Sequence, residues 1–352
     1  MKKIILILML IPLNVFAIDT SASSAILLDM DNNRVLYEEN SHNVRSVASI
    51  SKIMTAVIAI ESNKLDDKVV IGKEINKSYG SGIYIKEGEV LTLRDLVYGL
   101  MLRSGNDAAL AIADYVGGSV DDFVKLMNKK AKELKMYNTT FNNPSGLDQD
   151  KGNYSTAYDM AILTSYAMKN KEYKKITSTK KYTLTTIKNT YVWINKNKLL
   201  SLYKYTTGGK TGFTEIAKRT LVSTATKNNI NLVVVTLNDG NDFENHKELY
   251  EYGFNNYSME KVFDKDKMDL PNKNMYALDD FFYPVTEEEK KLINVDYKIK
   301  DKKNYKNNEK VGIAVIKLGN KIIHEEKIYI LKKEKQSSNK NLFDKVFKLL
   351  KS

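Results

Sequence analysis

The sequence predicts an α+β fold, helices packed with antiparallel strands, followed by a small all-β domain and a C-terminal amphipathic helix. Three observations predict it. The run 49–60 is apolar on nearly every side and 93–101 has apolar residues at helical spacing, while 24–29, 219–225 and 230–237 are strand-like runs. Residues from about 260 to 331 hold short β-like runs, V-G-I-A-V-I-K-L and K-I-Y-I-L among them, with little helical pattern. The closing N-L-F-D-K-V-F-K-L-L-K-S sorts its apolar and basic side chains onto opposite sides of a helical wheel.

In chain order, Lys2 and Lys3 precede an apolar run from Ile4 to Val15 that closes in Val15-Phe16-Ala17. A charged head, an apolar core and small closing residues make a secretory signal peptide over 1–17, cut after Ala17. The runs 24–29 and 34–38 flank the turn Asp31-Asn32-Asn33 and form a hairpin. Ser49 to Ile60 is apolar on nearly every side, the mark of a helix buried in a core. The helix from Leu93 to Met101 stops at Arg103-Ser104-Gly105-Asn106, and a second begins at Asp107. From Phe254 to Lys267 the pattern breaks into charged, helix-poor sequence, a domain boundary. The expected organisation is therefore a leader over 1–17, a main domain over 18–258, an all-β domain over 259–331, a polar linker over 332–340 and an amphipathic helix over 341–352. A basic amphipathic face detached from any core by a polar linker is suited to lie on a membrane surface.

The chain has 352 residues, no cysteine and a formal charge of +12. The missing thiol excludes a lipoprotein anchor, disulfides and thiolate metal sites. Between Lys169 and Lys204 ten lysines stand against one acid, Glu172. An exported protein rarely meets nucleic acid, so this stretch is read either as a surface for anionic wall polymers or lipid headgroups, or as the solvated face of a hairpin.

Three short motifs bear on chemistry. The three histidines, His42, His246 and His324, sit in no G-x-S-x-G elbow, and His42 and His246 fall in charged, loop-like sequence. The usual general base is thus poorly supplied, and lysine is the natural substitute. Ser49-Ile50-Ser51-Lys52 provides it: positions i and i+3 share a helix face, and a lysine in apolar surroundings loses proton affinity through desolvation. S-x-x-K begins at five serines, Ser49, Ser178, Ser201, Ser258 and Ser337, but only the first opens an apolar helix. Ser104-Gly105-Asn106, in a turn between two helices, offers a hydroxyl to protonate a leaving amine and an amide to hold lysine and substrate. Lys210-Thr211-Gly212 has no glycine at 204, where a phosphate loop requires one, so it is not a phosphate cradle. A strand carrying Lys210 and Thr211 would instead present a cation and a hydroxyl to a carboxylate, with Gly212 allowing close backbone approach.

Serine-lysine, then S-x-N, then K-T-G, in this order, is the set found in penicillin-binding proteins and class A β-lactamases. With S-A-I-L-L-D at 24–29, L-R-S-G-N-D-A around Ser104, N-P-S-G-L-D at 143–148, Y-S-T-A-Y-D-M at 154–160, N-x-N-x-L-L at 195–200 and Y-x-Y-G-F at 250–254, the chain resembles the low-molecular-weight penicillin-binding proteins, the serine-type D-alanyl-D-alanine carboxypeptidases. The likeness covers most of 20–258. It implies a DD-peptidase/β-lactamase-like catalytic domain that trims the terminal D-alanine from peptidoglycan stem pentapeptides, and β-lactams as covalent inhibitors. By the same resemblance Ser49 is the nucleophile, Lys52 its base, Ser104 and Asn106 serve proton transfer and positioning, and Lys210 and Thr211 hold the terminal carboxylate. The N–H groups of Ser49 and Phe213 form the oxyanion hole. No cofactor, metal or nucleic acid is called for.

The chain departs from the family at Val47, where proline is common, and at Lys218, where glycine is common. Arg219 follows Lys218; if 207–213 and 219–225 pair antiparallel, it lies near Thr211 and supplies a second cation for the carboxylate. No E-x-x-x-N stands between S-x-N and K-T-G to deacylate a β-lactam, which disfavours a β-lactamase. Endopeptidase or transpeptidase action on wall cross-links, and a non-catalytic wall-binding or penicillin-sensing role, stay open. The expected location is the outer face of the cytoplasmic membrane or the cell wall, with peripheral attachment through 341–352.

Overall fold

A computed structural model of the chain describes residues 19–148, 151–300, 302 and 304–331. The leader, the linker and the amphipathic stretch at 341–352 lie outside the described residues. The chain divides after Asn256 into two compact units.

The first unit is built on a five-stranded sheet. Its strands are β1 (Ala22–Asp29), β2 (Arg34–Glu39), β3 (Thr206–Thr214), β4 (Lys218–Lys227) and β5 (Ile230–Asp239), in the order β2-β1-β5-β4-β3. Every neighbouring pair is antiparallel. The β1–β2 hairpin turns where the Asn32 backbone and side chain both donate to Asp29, and Asn33 takes the left-handed conformation at φ 55°.

Alternation along the strands decides which face each helix covers. Ile26, Leu28, Val222, Val233 and Val235 point into one core with α1 (Lys52–Glu61), α2 (Leu93–Arg103), α3 (Asn106–Gly117), α4 (Val120–Glu133), α5 (Ala157–Ala167) and α6 (Lys171–Ser178). Leu27 and Leu232 point the other way. A side chain at Gly253 would collide with them, so glycine there lets α8 (Asp242–Asn256) lie close on the opposite face. A single turn, α7 (Leu199–Leu202), precedes β3. Residues 52–60 of α1 are all buried, as a helix apolar on every side requires. At α2 a capping box starts the helix: Thr92 accepts from the Asp95 N–H and Asp95 accepts from the Thr92 N–H.

Two sequence readings are corrected here. His246 is not in a loop but fully buried within α8, its ring nitrogens facing Ser223 Oγ at 2.6 Å and Thr236 Oγ1 at 3.1 Å. The helix after Ser104 starts at Asn106, one residue earlier than the spacing predicts. Within the lysine-rich stretch, Lys181–Thr185 and Thr190–Ile194 form a hairpin with alternating exposure.

Among its described residues the second unit is all-β apart from one short helical turn, Glu287–Lys290. Met275–Ala277, Lys321–Ile330, Glu309–Leu318 and Ile293–Ile299 form an antiparallel sheet in that spatial order, and Ser258–Phe263 pairs with Phe281–Val285. Val311, Ala314, Ile316 and Ile328 are at its core.

Candidate active site

Ser49 lies in a 3-10 turn, Ala48–Ser51, that runs directly into α1. The turn is strained, because Ala48 sits at φ 48°, a left-handed conformation unfavourable for a residue with a Cβ. Three neighbours hold it. Ser51 Oγ donates to Ala48 O at 2.9 Å, and Thr220 Oγ1 on β4 donates to Val47 O at 3.1 Å. The loop at 143–148 closes over Ala48 through Gly146, where a Cβ would fall 2.1 Å from Ala48 O and φ is +78°. Strain of this kind, held by packing, is typical of a residue that must project a reactive side chain.

Gly212 does the same for β3. A Cβ there would lie 2.4 Å from Thr220 Oγ1 and 3.0 Å from the Ser49 nitrogen. Its absence lets the strand press against the Ser49 turn.

Lys52 is wholly buried. Its Nζ lies 3.1 Å from Ser49 Oγ, 2.7 Å from Asn106 Oδ1 and in close contact with Ser145 O. Asn143 fixes that carbonyl by accepting from the Ser145 and Gly146 N–H groups at 3.1 and 2.6 Å. Asn106 is fixed in turn, since its Nδ2 donates to Tyr79 O at 2.6 Å and its N–H to Ser81 O at 2.8 Å. Burial, and then the nearby Lys196, push the Lys52 ammonium down to about 7, while Asp107 acts the other way. Near neutral pH a large fraction of Lys52 is therefore an uncharged amine. Such an amine has two N–H donors and one lone pair. Asn106 Oδ1 and Ser145 O can only accept, so they occupy the two donors and leave the lone pair for the Ser49 hydroxyl. The arrangement can take a proton from Ser49.

A cleft of about 440 Å³ opens in front of Ser49, lined by Ser81, Ser104, Lys196, Thr211, Phe213 and Arg219, with Asp242 and Phe243 beyond. Ser104 is at the end of α2 in the left-handed conformation, φ 65°, and its hydroxyl makes no side-chain hydrogen bond among the described residues. Lys196 Nζ donates to Ser81 Oγ at 3.0 Å, and burial together with Arg103 holds it below the usual lysine range.

Not every residue singled out in the sequence faces the cleft. Thr211, Gly212, Phe213 and Arg219 line it, but Lys210 is only 1% exposed and its Nζ donates to Thr211 O at 2.6 Å. Burial first, and Lys52 and Lys196 next, hold its pKa well below the usual value. Arg219 stands directly opposite Phe213, and Thr211 opposite Leu221, so Arg219 is a diagonal neighbour of Thr211. Its guanidinium is engaged: it donates through Nε and Nη2 to both oxygens of the buried Asp242 and lies 5.6 Å from the Phe243 ring centre. The sequence analysis missed Ser81, Lys196, Asp242 and the Ser145 carbonyl. Lys196 and Ser145 lie in segments already noted, N-x-N-x-L-L and N-P-S-G-L-D, while nothing local marked Ser81 or Asp242.

Residues 13–241 match the profile of the D-alanyl-D-alanine carboxypeptidase family, and 246–336 that of the penicillin-binding protein 5 C-terminal domain. The D-alanyl-D-alanine carboxypeptidase DacF of Bacillus subtilis is 35% identical over 70% of this chain and 65% of its own. DacA of Haemophilus influenzae is 30% identical over 80% of this chain and 76% of its own. The chain thus spans about two thirds of the Bacillus relative's length. Among solved structures, penicillin binding protein 5 from Haemophilus influenzae superimposes with a TM-score of 0.76 at 27% identity, covering 90% of this chain and 98% of that one. A mutant DD-transpeptidase from Streptomyces gives 0.65 at 32% identity, covering 67% of this chain and 99% of that one.

Proposed function

The chain belongs to the D-alanyl-D-alanine carboxypeptidase family, and from that premise we propose that it removes the terminal D-alanine from peptidoglycan stem pentapeptides through an acyl-enzyme on Ser49. The observation that carries the reading is the environment of Lys52, whose two fixed acceptors leave its lone pair for Ser49.

In this mechanism neutral Lys52 takes the Ser49 proton as Oγ attacks the carbonyl carbon of the D-Ala–D-Ala amide. The N–H groups of Ser49 and Phe213 receive the developing oxyanion. The C–N bond then breaks. Ser104 gives its hydroxyl proton to the leaving amine and recovers one from the Lys52 ammonium. Water attacks the resulting ester as Lys52 accepts its proton, the acyl C–Oγ bond breaks, Lys52 returns the proton to Ser49 Oγ, and the shortened stem leaves as the acid. Thr211 and Arg219, on the cleft wall, meet the terminal carboxylate. Lys210 is buried beside Thr211, and an anion bound there favours its protonated form. β-Lactams acylate the same Ser49.

The test is labelling with fluorescent penicillin, wild type against Ser49→Ala, followed by D-alanine release from diacetyl-Lys-D-Ala-D-Ala. Label lost in the variant, with release only by the wild type, supports the reading. Absence of label in both would refute it.

A second reading is transfer to an amine in place of water, which is favoured by the Streptomyces neighbour described as a DD-transpeptidase. Adding glycylglycine and measuring the ratio of transfer to hydrolysis separates the two. For location, the reading places the enzyme outside the cytoplasmic membrane, exported by 1–17 and held at the surface by 341–352. Sedimentation with anionic vesicles, full chain against a chain ending at 340, tests the attachment.

A further inference from the structure

A second cleft of about 440 Å³ lies at the other end of the same strands. The active-site cleft meets β3 at Thr211–Phe213 and β4 at Arg219, whereas this one meets them at Thr206, Thr207 and Thr226. Strand rise separates the two by roughly 20 Å. On its helical side are Lys169, just past α5, and Lys174, Lys175 and Ser178 of α6. These lysines lie in the part of the basic stretch that precedes the hairpin at 181–194.

Four features give the cleft the chemistry of an anion site. Three exposed lysines border it, and their ammonium groups make no ion pair among the described residues. Its floor carries hydroxyls from Ser165, Thr206, Thr207 and Thr226, of which Ser165 donates to Ala161 O, Thr207 bonds Thr224 Oγ1 and Thr226 donates to Asn231 Oδ1. Of these, Thr206 Oγ1 is buried with no hydrogen-bond partner, an arrangement that leaves a donor without the compensation such groups almost always find. The one acid, Asp31, is already bonded to Asn231 Nδ2 at 2.9 Å.

The donor set discriminates among anions. Lysines act as mobile point charges suited to phosphate, whereas planar carboxylates are gripped best by the forked guanidinium, and no arginine lines this cleft. The volume also exceeds what one inorganic phosphate fills. We propose that this cleft binds a phosphodiester unit of an anionic polymer, held between Lys169, Lys174 and Lys175 with an oxygen toward the Thr206 hydroxyl. Such a site would keep the enzyme on a polyanionic matrix while the Ser49 cleft, at the other end of the sheet, stays open to substrate.

The full-length chain is titrated calorimetrically at 0.15 M salt with short poly(glycerol phosphate), with inorganic phosphate and with phosphatidylglycerol vesicles. Two triple variants are compared, Lys169→Gln/Lys174→Gln/Lys175→Gln in the cleft and Lys180→Gln/Lys181→Gln/Lys188→Gln on and beside the hairpin. The charge lost is equal in both, so general attraction affects them alike. The cleft triple is expected to weaken polymer binding about tenfold and the hairpin triple by less than about threefold. Thr206→Val, which keeps shape and removes the hydroxyl, is expected to weaken it about threefold. Fluorescent penicillin labelling of each variant checks that the fold is intact. Binding of inorganic phosphate as tightly as the polymer would overturn the polymer assignment in favour of the free ion. Equal losses in the two triples, binding to vesicles alone, or no binding of any probe would overturn the site.

Discussion

Lys52 places its Nζ 3.1 Å from Ser49 Oγ while none of its own surface reaches solvent. That pairing links α1, the loop at 143–148 and the start of α3, so the environment of the proposed nucleophile depends on three segments distant in sequence. Replacing Lys52 by Arg keeps the positive charge but supplies a group that holds its proton at any working pH. Acylation by labelled penicillin should fall about 10³-fold in Lys52→Arg. Retention of near-wild-type acylation would remove Lys52 from the base role.

In the proposed mechanism Asn106 acts on Ser49 through Lys52. In Asn106→Asp a carboxylate replaces the amide 2.7 Å from Nζ and favours the ammonium, so the Lys52 pKa rises above about 7. Acylation at pH 7 falls, and recovers as the pH is raised. A role in folding alone would lower the rate equally at every pH.

Gly212 is needed for close approach. In Gly212→Ala the new Cβ meets Thr220 Oγ1 and the Ser49 backbone, which have to move. The expected outcome is a loss of roughly 1–3 kcal/mol in denaturant unfolding, with acylation reduced more than the unfolded fraction accounts for.

Arg219 and Asp242 form a pair with one exposed and one buried member, at 45% and 4% side-chain exposure. If Arg219 meets the terminal carboxylate, Arg219→Ala raises the KM for D-Ala-D-Ala peptides, while Asp242→Asn frees the guanidinium and lowers it. An unchanged KM in Arg219→Ala would make the pair purely structural.

His246 affects stability with pH. Burial depresses its pKa from 6.5 to about 3. The unfolded chain therefore binds a proton that the folded chain refuses over that interval, and stability falls as pH drops below 6.5. Thermal unfolding between pH 6.5 and 5, above most carboxylate titrations, should show a falling Tm in the wild type and a flatter response in His246→Gln.

Much of this was legible in the sequence because it depended on local pattern. The i, i+3 spacing of Ser49 and Lys52 survives even though the turn around Ser49 is 3-10 and not α-helical, since both geometries bring these positions together. The strands at 219–225 and 230–237 were marked by unbroken β-forming runs. What escaped depends on where distant segments meet. No local signal reveals that Lys210 is buried close enough to Lys52 and Lys196 to feel their charge while Thr211 lines the cleft, or that Asp242 reaches Arg219 from the next helix. His246 looked loop-like because its neighbours along the chain are charged, yet those charges lie on the outer side of α8. The lysine-rich stretch had two readings; in the structure part of it is a solvated hairpin, Lys169, Lys174 and Lys175 border one cleft and Lys196 lines the Ser49 cleft.

The central claim, that an uncharged Lys52 is the base for Ser49, is tested most directly by the pre-steady-state rate of Ser49 acylation by fluorescent penicillin from pH 5.5 to 9. The account predicts a rate that climbs about tenfold per pH unit below about 7 and levels off above it. A rate independent of pH across this range, or one that rises only toward pH 10, would contradict it.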